Sequence, residues 1–99
     1  MKVIIDKGNP VVARLQGRLD TAAAVEVTPD FQQLNAYAKE HLVIDCEELE
    51  YISSSGLRLL LALRKQVASD GGKLQIRGIN DDIRQVFMMT GFISLFDIV

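Results

Sequence analysis

Short apolar, β-branched runs near the start of the chain predict two strands joined by a turn. Residues 3–6 form one run and residues 11–16 the other. Between them, residues 8–10 read Gly-Asn-Pro, a composition typical of turns. The two strands are therefore expected to form a hairpin, and the segment 17–21 is expected to end the second strand.

Apolar residues at helical spacing follow this hairpin. Asp20 or Thr21 is placed to cap a helix through residues 22–24. Pro29 interrupts the pattern, and because proline is favoured in the first turn of a helix, a second helical segment is predicted to begin there. Its apolar positions are Phe31, Leu34, Tyr37 and Ala38.

The rest of the chain alternates between strand and helix patterns. The apolar run 42–46 predicts a central parallel strand, and the clean alternation of residues 73–77 predicts a strand with one buried face. Between them, residues 56–69 carry a wide apolar stripe, which predicts a largely buried helix that ends at residues 70–72. The intervening segment 47–50 is expected to be an acidic loop.

A last helix is predicted after residue 78. Asn80 is placed to cap it, and the acidic side chains of Asp81 and Asp82 suit a helix N-terminus. Residues 90–92 should end this helix, and residues 95–99 are predicted to form a final short strand. The apolar side of the helix, with both methionines assigned to the core, is predicted to comprise Ile83, Val86, Phe87, Met88 and Met89.

This order of elements predicts an α/β fold for residues 1–99, which are long enough for a single domain. Strand–helix–strand units make consecutive strands parallel, so the loops 17–21, 47–56 and 78–82 must emerge at one edge of the sheet. We call these three loops the carboxyl edge, where open α/β sheets favour ligand and partner sites. Apart from Arg18, its charged residues are acidic: Asp20, Glu47, Glu48, Glu50, Asp81 and Asp82.

Composition argues against several classes of function. The net charge is −2 and the basic residues are scattered, whereas a protein that binds nucleic acid needs a basic patch. A single cysteine excludes an internal disulfide, and one cysteine with one histidine cannot form a zinc site. No apolar run is long enough for a signal peptide or a membrane span, so we expect a cytoplasmic protein without membrane insertion.

No catalytic constellation or cofactor motif is present, so we predict neither enzymatic activity nor a cofactor. His41 opens a strand upstream of the carboxyl edge, a poor position for a general base. Cys46 lies in an apolar run and is expected to be a small buried side chain. The acidic side chains lie on solvated loops, so no metal site is expected. No glycine-rich phosphate loop occurs, which disfavours a nucleotide binder.

Ser53, Ser54 and Ser55 stand directly before the predicted long helix and are followed by Gly56. One serine there is explained as an N-cap, but one cap does not require three serines. A serine without a nearby base is a poor nucleophile, yet it is a good acceptor for phosphate delivered by another enzyme. A helix N-terminus tolerates that dianion, since free N–H groups and the helix dipole face it. On the residues alone, both a cap and a switch remain open.

Three motifs, in order, resemble the STAS domain in the single-domain form of bacterial anti-sigma factor antagonists. Residues 17–20 resemble the family's G-x-L-D after the second strand. Residues 52–57 resemble its D-S-[ST]-G-L at the start of the long helix, and residues 89–92 resemble its M-[ST]-G-[LF]. The resemblance implies a mostly parallel sheet of four to five strands, with an N-terminal hairpin and helices packed mainly on one face.

The resemblance also implies a function. The unphosphorylated protein would bind an anti-sigma factor, often itself a serine kinase, and so free a sigma factor. Phosphorylation of Ser54, with Ser53 and Ser55 as rival acceptors, would end that binding, and a PP2C-type phosphatase would restore it. The residues expected at the partner surface are Arg18, Asp20, Ser53, Ser54, Ser55, Gly56, Arg58 and Asn80.

One departure from the family pattern leaves an alternative open. The family's Asp before the acceptor is Ser53 in this chain. The chain could then be a STAS subunit of another complex, such as a lipid-transport or stress-sensing assembly, acting as an interaction module that is not phosphorylated.

Overall fold

The first two strands form the predicted hairpin. In the computed structural model, which describes residues 1–99, β1 (Lys2–Asp6) pairs antiparallel with β2 (Val11–Leu19). The sequence predicted that β2 ends at residue 16, and this is wrong. The strand continues to Leu19, because residues 17–19 pair with a further strand. The peptide bond between Asn9 and Pro10 in the connection is cis.

That further strand lies inside the segment predicted to be a loop. β3 (His41–Asp45) pairs parallel with the first part of β2, and β4 (Leu49–Ile52) pairs parallel with its end. Within the pairing of β2 with β4, the register shifts between Gly17 and Arg18. β4 has only 4 residues, of which the two central ones are exposed, so it shows no alternation that a sequence pattern could reveal.

The sheet is completed by β5 (Lys73–Arg77) and β6 (Asp97–Ile98). Its order is β1-β2-β3-β5-β6, with β4 against β2, and every pairing except that of β1 with β2 is parallel. A mostly parallel sheet with an N-terminal hairpin is therefore confirmed. It has 6 strands, one more than expected, and its last strand is shorter than the predicted 95–99.

Three helices pack on this sheet: α1 (Thr21–Leu34), α2 (Ser54–Asp70) and α3 (Asp81–Met89). Short 3₁₀ turns follow the first and the last of them, at Asn35–Tyr37 and Phe92–Ser94. α2 ends at Gly71, which adopts a left-handed conformation as a C-cap. None of the helices is long and apolar enough to cross a membrane.

The predicted break at Pro29 is wrong, because α1 continues through it. Proline removes the N–H that would have bonded to the carbonyl of Val25, a residue on the exposed side of the helix. The free energy gained by burying one stripe of side chains, before and after the proline, outweighs the loss of one hydrogen bond. The buried residues are Ala23, Ala24, Val27, Phe31 and Leu34.

The prediction that the two methionines of α3 lie in the core is wrong. Met88 is 60% and Met89 is 86% exposed, whereas Ile83 and Phe87 are buried. Residues four apart share one face of a helix, so the two positions after Phe87 turn away from the sheet. α2 is likewise less buried than predicted, since Ala68 is exposed and only one stripe is covered: Gly56, Leu57, Leu60, Leu63 and Val67.

The two faces of the sheet differ in chemistry. On β2, Val11, Ala13 and Leu15 are buried in the single core shared with the helices, while Arg14 between them is exposed. On the opposite face, the carboxylate of Asp45 lies 3.9 Å from Arg14 and 3.3 Å from Arg77. The helices thus cover one face, and a polar surface forms the other.

Candidate functional site

Hydrogen bonds join the loops of the carboxyl edge. The backbone N–H of Ser53 donates to the carbonyl of Leu19 at 2.8 Å, which fixes the start of α2 beside the end of β2. The side-chain amide of Asn80 donates to the carbonyl of Leu49 at 3.3 Å, which ties the start of α3 to β4. The edge is therefore one connected surface and not three independent loops.

All three helices begin at this edge, each with a capping side chain. Asp20 accepts from the N–H of Ala23 at 2.8 Å, and Asn80 accepts from the N–H of Ile83 at 2.8 Å. Ser53 accepts from the N–H of Gly56 at 3.2 Å. Of the two caps considered for α1, Asp20 is the one used. The partial positive charges of three helix N-termini therefore lie along one edge.

The three serines have different environments. Ser53 is the N-cap of α2, with extended backbone and only 9% of its surface exposed. Ser54 is the first helical residue and is exposed, whereas Ser55 is half-buried. Because Ser53 alone provides the cap, the cap does not account for Ser54, which is an exposed residue.

Substitutions of Ser53 should separate its capping role from any other. We expect Ser53→Ala to lower the free energy of unfolding by about 0.5–2 kcal/mol, because the N–H of Gly56 loses its acceptor. Ser53→Asp, which places the family's residue here, should retain most of the stability, since aspartate is an equally favoured N-cap. Urea unfolding of both variants measures this. Equal losses for Ala and Asp would argue against a capping role.

Gly56 brings the start of α2 against the ends of two strands. A Cβ atom at this position would lie 2.6 Å from Cγ of Leu19 and 2.9 Å from Cγ1 of Ile52. Both neighbours are buried, at 0% and 2% exposed. Glycine therefore permits the close contact that sets where the serines stand relative to Asp20.

Two basic residues flank the serines on different sides. The guanidinium of Arg18 lies over the ring of Tyr51, 4.6 Å from its centroid. Arg58 is exposed on α2 and lines a shallow groove between α1 and α2, together with Val25 and Ser55. Tyr51 and Val25 were not among the predicted site residues, because Tyr51 lies in the unpredicted strand and Val25 in the interrupted helical pattern.

The acidic residues of the edge do not form one cluster. Glu47 and Glu48 line a polar depression with Arg14, Asp45 and Arg77. The other acidic side chains lie elsewhere, and Glu50 and Asp82 line a separate pocket between β4 and α3. No group of three metal-ligating side chains converges on a common point.

Cys46, directly after β3, is buried and unpaired. Burial, assisted by the charge of neighbouring Asp45, raises the pKa of its thiol to about 12. The thiol therefore stays protonated at neutral pH, which makes it a poor nucleophile. This agrees with the expectation of a small buried side chain.

We expect the Cys46 thiol to resist iodoacetamide at pH 8 in the folded protein and to react after unfolding in urea. Its pKa is higher in the folded than in the unfolded chain, so its contribution to stability is complete below the unfolded pKa. That contribution is lost as the pH rises toward about 12. Intact-mass measurement detects the adduct, with Cys46→Ala as the control. Rapid modification of the folded protein would contradict the burial.

Comparison with known proteins gives a family match along nearly the entire chain. The family model described as the STAS domain matches residues 2–99. BtrV of Bordetella bronchiseptica, a protein provisionally named as an anti-sigma factor antagonist, is 32% identical over 99 residues. That alignment covers 99% of this chain and 85% of BtrV. An anti-sigma F factor antagonist of Paenibacillus polymyxa is 27% identical over 90 residues, covering 89% of this chain and 76% of that protein.

Solved structures share the fold at lower identity. An anti-sigma factor antagonist from Mycobacterium paratuberculosis superposes with a TM-score of 0.85 at 20% identity, covering 98% of this chain and 83% of the other. The unphosphorylated anti-sigma factor antagonist SpoIIAA gives 0.74 at 19% identity, covering 99% and 87%. The phosphorylated form of SpoIIAA from Bacillus gives 0.72 at 20% identity, covering 99% and 91%. These likenesses support the α/β fold with its mostly parallel sheet.

Proposed function

The chain belongs to the STAS domain family, and on that basis we propose that it is an anti-sigma factor antagonist switched at Ser54. Unphosphorylated, it binds an anti-sigma factor through the carboxyl edge and so frees a sigma factor. The anti-sigma factor, acting as a serine kinase, phosphorylates Ser54 and thereby ends the binding, and a PP2C-type phosphatase restores it. One observation carries the proposal: Ser54 is exposed, while Ser53 provides the helix cap.

The environments of the serines favour Ser54 as the acceptor over its two rivals. The hydroxyl of Ser53 is buried and already bonded to the N–H of Gly56. Ser55 is half-buried and lines the groove between α1 and α2. A kinase needs a hydroxyl that can enter its active site, and of the three only that of Ser54 lies on an exposed residue.

A phosphate on Ser54 suits the folded domain. It would stand on the first residue of α2, near free backbone N–H groups, in a first turn without acidic side chains. Arg58 lies one helical turn further along, at the spacing at which side chains on a helix meet. The modification should therefore leave the domain folded. It should act on binding, because a contact that accommodates a hydroxyl must then desolvate a dianion.

The cap also accounts for the residue that departs from the family pattern. Serine and aspartate are both favoured N-caps, so Ser53 performs a task that an aspartate would perform equally well. The departure then has a structural explanation, and it no longer favours a STAS subunit of a lipid-transport or stress-sensing assembly.

Co-elution with the anti-sigma factor encoded in the same genome tests the proposed function. The unphosphorylated chain should elute with it as a complex, and the chain phosphorylated beforehand should elute alone. Failure of the unphosphorylated chain to form the complex, together with stable capture of a transporter ATPase, would contradict the proposal and support the alternative.

A further inference from the structure

A second feature of the carboxyl edge lies between β4 and α3, where a pocket opens beside Arg18. We call it the β4–α3 pocket. Ile52 and Ile83, at 2% and 1% exposed, form its apolar floor, and half-buried Val86 lines one wall. Tyr51, which is 39% exposed, lines it as well. Four of its seven lining residues are thus apolar, and the other three are charged.

The wall opposite α3 is formed by a cation–π pair. The guanidinium of Arg18 lies over the ring of Tyr51, 4.6 Å from its centroid. A preformed wall lowers the entropy lost when a partner side chain enters.

The rim of the pocket carries two carboxylates against the one guanidinium of Arg18, which leaves a net negative charge. Glu50 and Asp82 both line it and both are exposed. The protein's ion pairs within 4.0 Å join Asp45 to Arg14 and to Arg77, so neither rim carboxylate has a basic partner. An apolar floor below free carboxylates complements an aliphatic side chain next to a lysine or arginine.

An apolar strip extends the pocket along α3. Asp82, Val86 and Met89 follow at a spacing of four and three residues, so they lie on one face of the helix. Met89 is 86% exposed, and an exposed flexible thioether adapts readily to a partner surface. This face of α3 is therefore acidic at the carboxyl edge, where Asp82 lies, and apolar at its other end, where Met89 lies.

We infer that the β4–α3 pocket is a second docking point for the anti-sigma factor, separate from the contact at Ser54. Its occupant is a segment of that protein in which an aliphatic side chain enters the pocket and an adjacent lysine or arginine meets Glu50 and Asp82. This inference rests on the proposed function and names the chemistry of the partner segment.

Removal of the rim charges tests it, with a matched control at the opposite edge of the sheet. The double variant Glu50→Gln/Asp82→Asn should bind the anti-sigma factor about tenfold more weakly in calorimetry, with a weaker dependence on salt. The control Asp6→Asn/Glu40→Gln removes the same charge from exposed side chains at the end of β1 and just before β3, away from the carboxyl edge, and should bind as the unmodified chain does. Tyr51→Ala, which removes the stacked wall, should also weaken binding while the melting temperature stays within a few degrees.

The outcomes separate the inference from the proposed function. Unchanged affinity of Glu50→Gln/Asp82→Asn and of Tyr51→Ala, in a complex that Ser54→Asp still weakens, would overturn the second docking point and leave the switch intact. Equal losses for the two double variants would also overturn it, because overall charge would then explain both. No complex with the unmodified chain would contradict the proposed function and the inference with it.

Discussion

Replacing Ser54 with aspartate is expected to lower the affinity for the anti-sigma factor at least tenfold without unfolding the domain. The side chain is exposed at the first residue of α2, so the substitution meets no steric barrier in the free protein. In the complex, a carboxylate would replace a hydroxyl within the contact, and its desolvation without a matching partner costs binding energy.

The same variant should be as stable as the unmodified chain or slightly more so. The first turn of α2 has no acidic side chain, and a negative charge there interacts favourably with the helix dipole, by about 0.3–1 kcal/mol. Calorimetry and thermal unfolding measure the two effects separately. Ser54→Ala, which adds no charge, serves as the control and should bind normally. Unchanged affinity of Ser54→Asp would contradict a switch at this position.

Gly56→Ala is expected to destabilise the protein by about 1–3 kcal/mol, as overpacking of a core does. In an exposed helix interior the same change stabilises, because alanine is the better helix former by about 0.8–1 kcal/mol. Here the added Cβ would lie 2.6 Å from Leu19 and 2.9 Å from Ile52, both of them buried. The sign of the effect therefore distinguishes a packed contact from helix propensity.

Urea unfolding with two companion variants tests this contact. Ala62→Gly, at an exposed position of the same helix, provides the propensity baseline with the opposite change. In a Leu19→Ala background, which removes the nearest clashing atom and leaves only Cγ1 of Ile52 in close contact, Gly56→Ala should cost clearly less. Stabilisation by Gly56→Ala in the unmodified chain would contradict the packing of α2 against the strand ends.

The sequence predicted well those elements in which the apolar residues of the pattern are also the residues that face the core. Residues 73–77 alternate cleanly and form β5, and the apolar run at 42–46 contains most of β3. β4 escaped prediction because its 4 residues gain their strand character from pairing with β2 and not from alternation. α1 continues through Pro29 because tertiary packing of Val27 and Phe31 outweighs a local helix-breaking signal.

The location of the candidate site could be predicted from the sequence, but the role of each residue within it could not. Parallel strands with crossover helices place the serine triplet at the carboxyl edge, whatever the side chains do. Which serine caps α2 depends on the residue at which the helix begins, and the helix begins at Ser54, ahead of the predicted Gly56. The β4–α3 pocket depends on β4 and on the stacking of Arg18 over Tyr51, which no linear spacing predicts.

Mass mapping after phosphorylation tests the account most directly. The chain is incubated with the anti-sigma factor of the same genome and ATP, and the modified residue is located by peptide fragmentation. A single phosphate on Ser54, absent from Ser54→Ala and removed by a PP2C-type phosphatase, is the predicted result. An unmodified Ser54 in a complex that does form, or a phosphate on Ser53 or Ser55 instead, would contradict it.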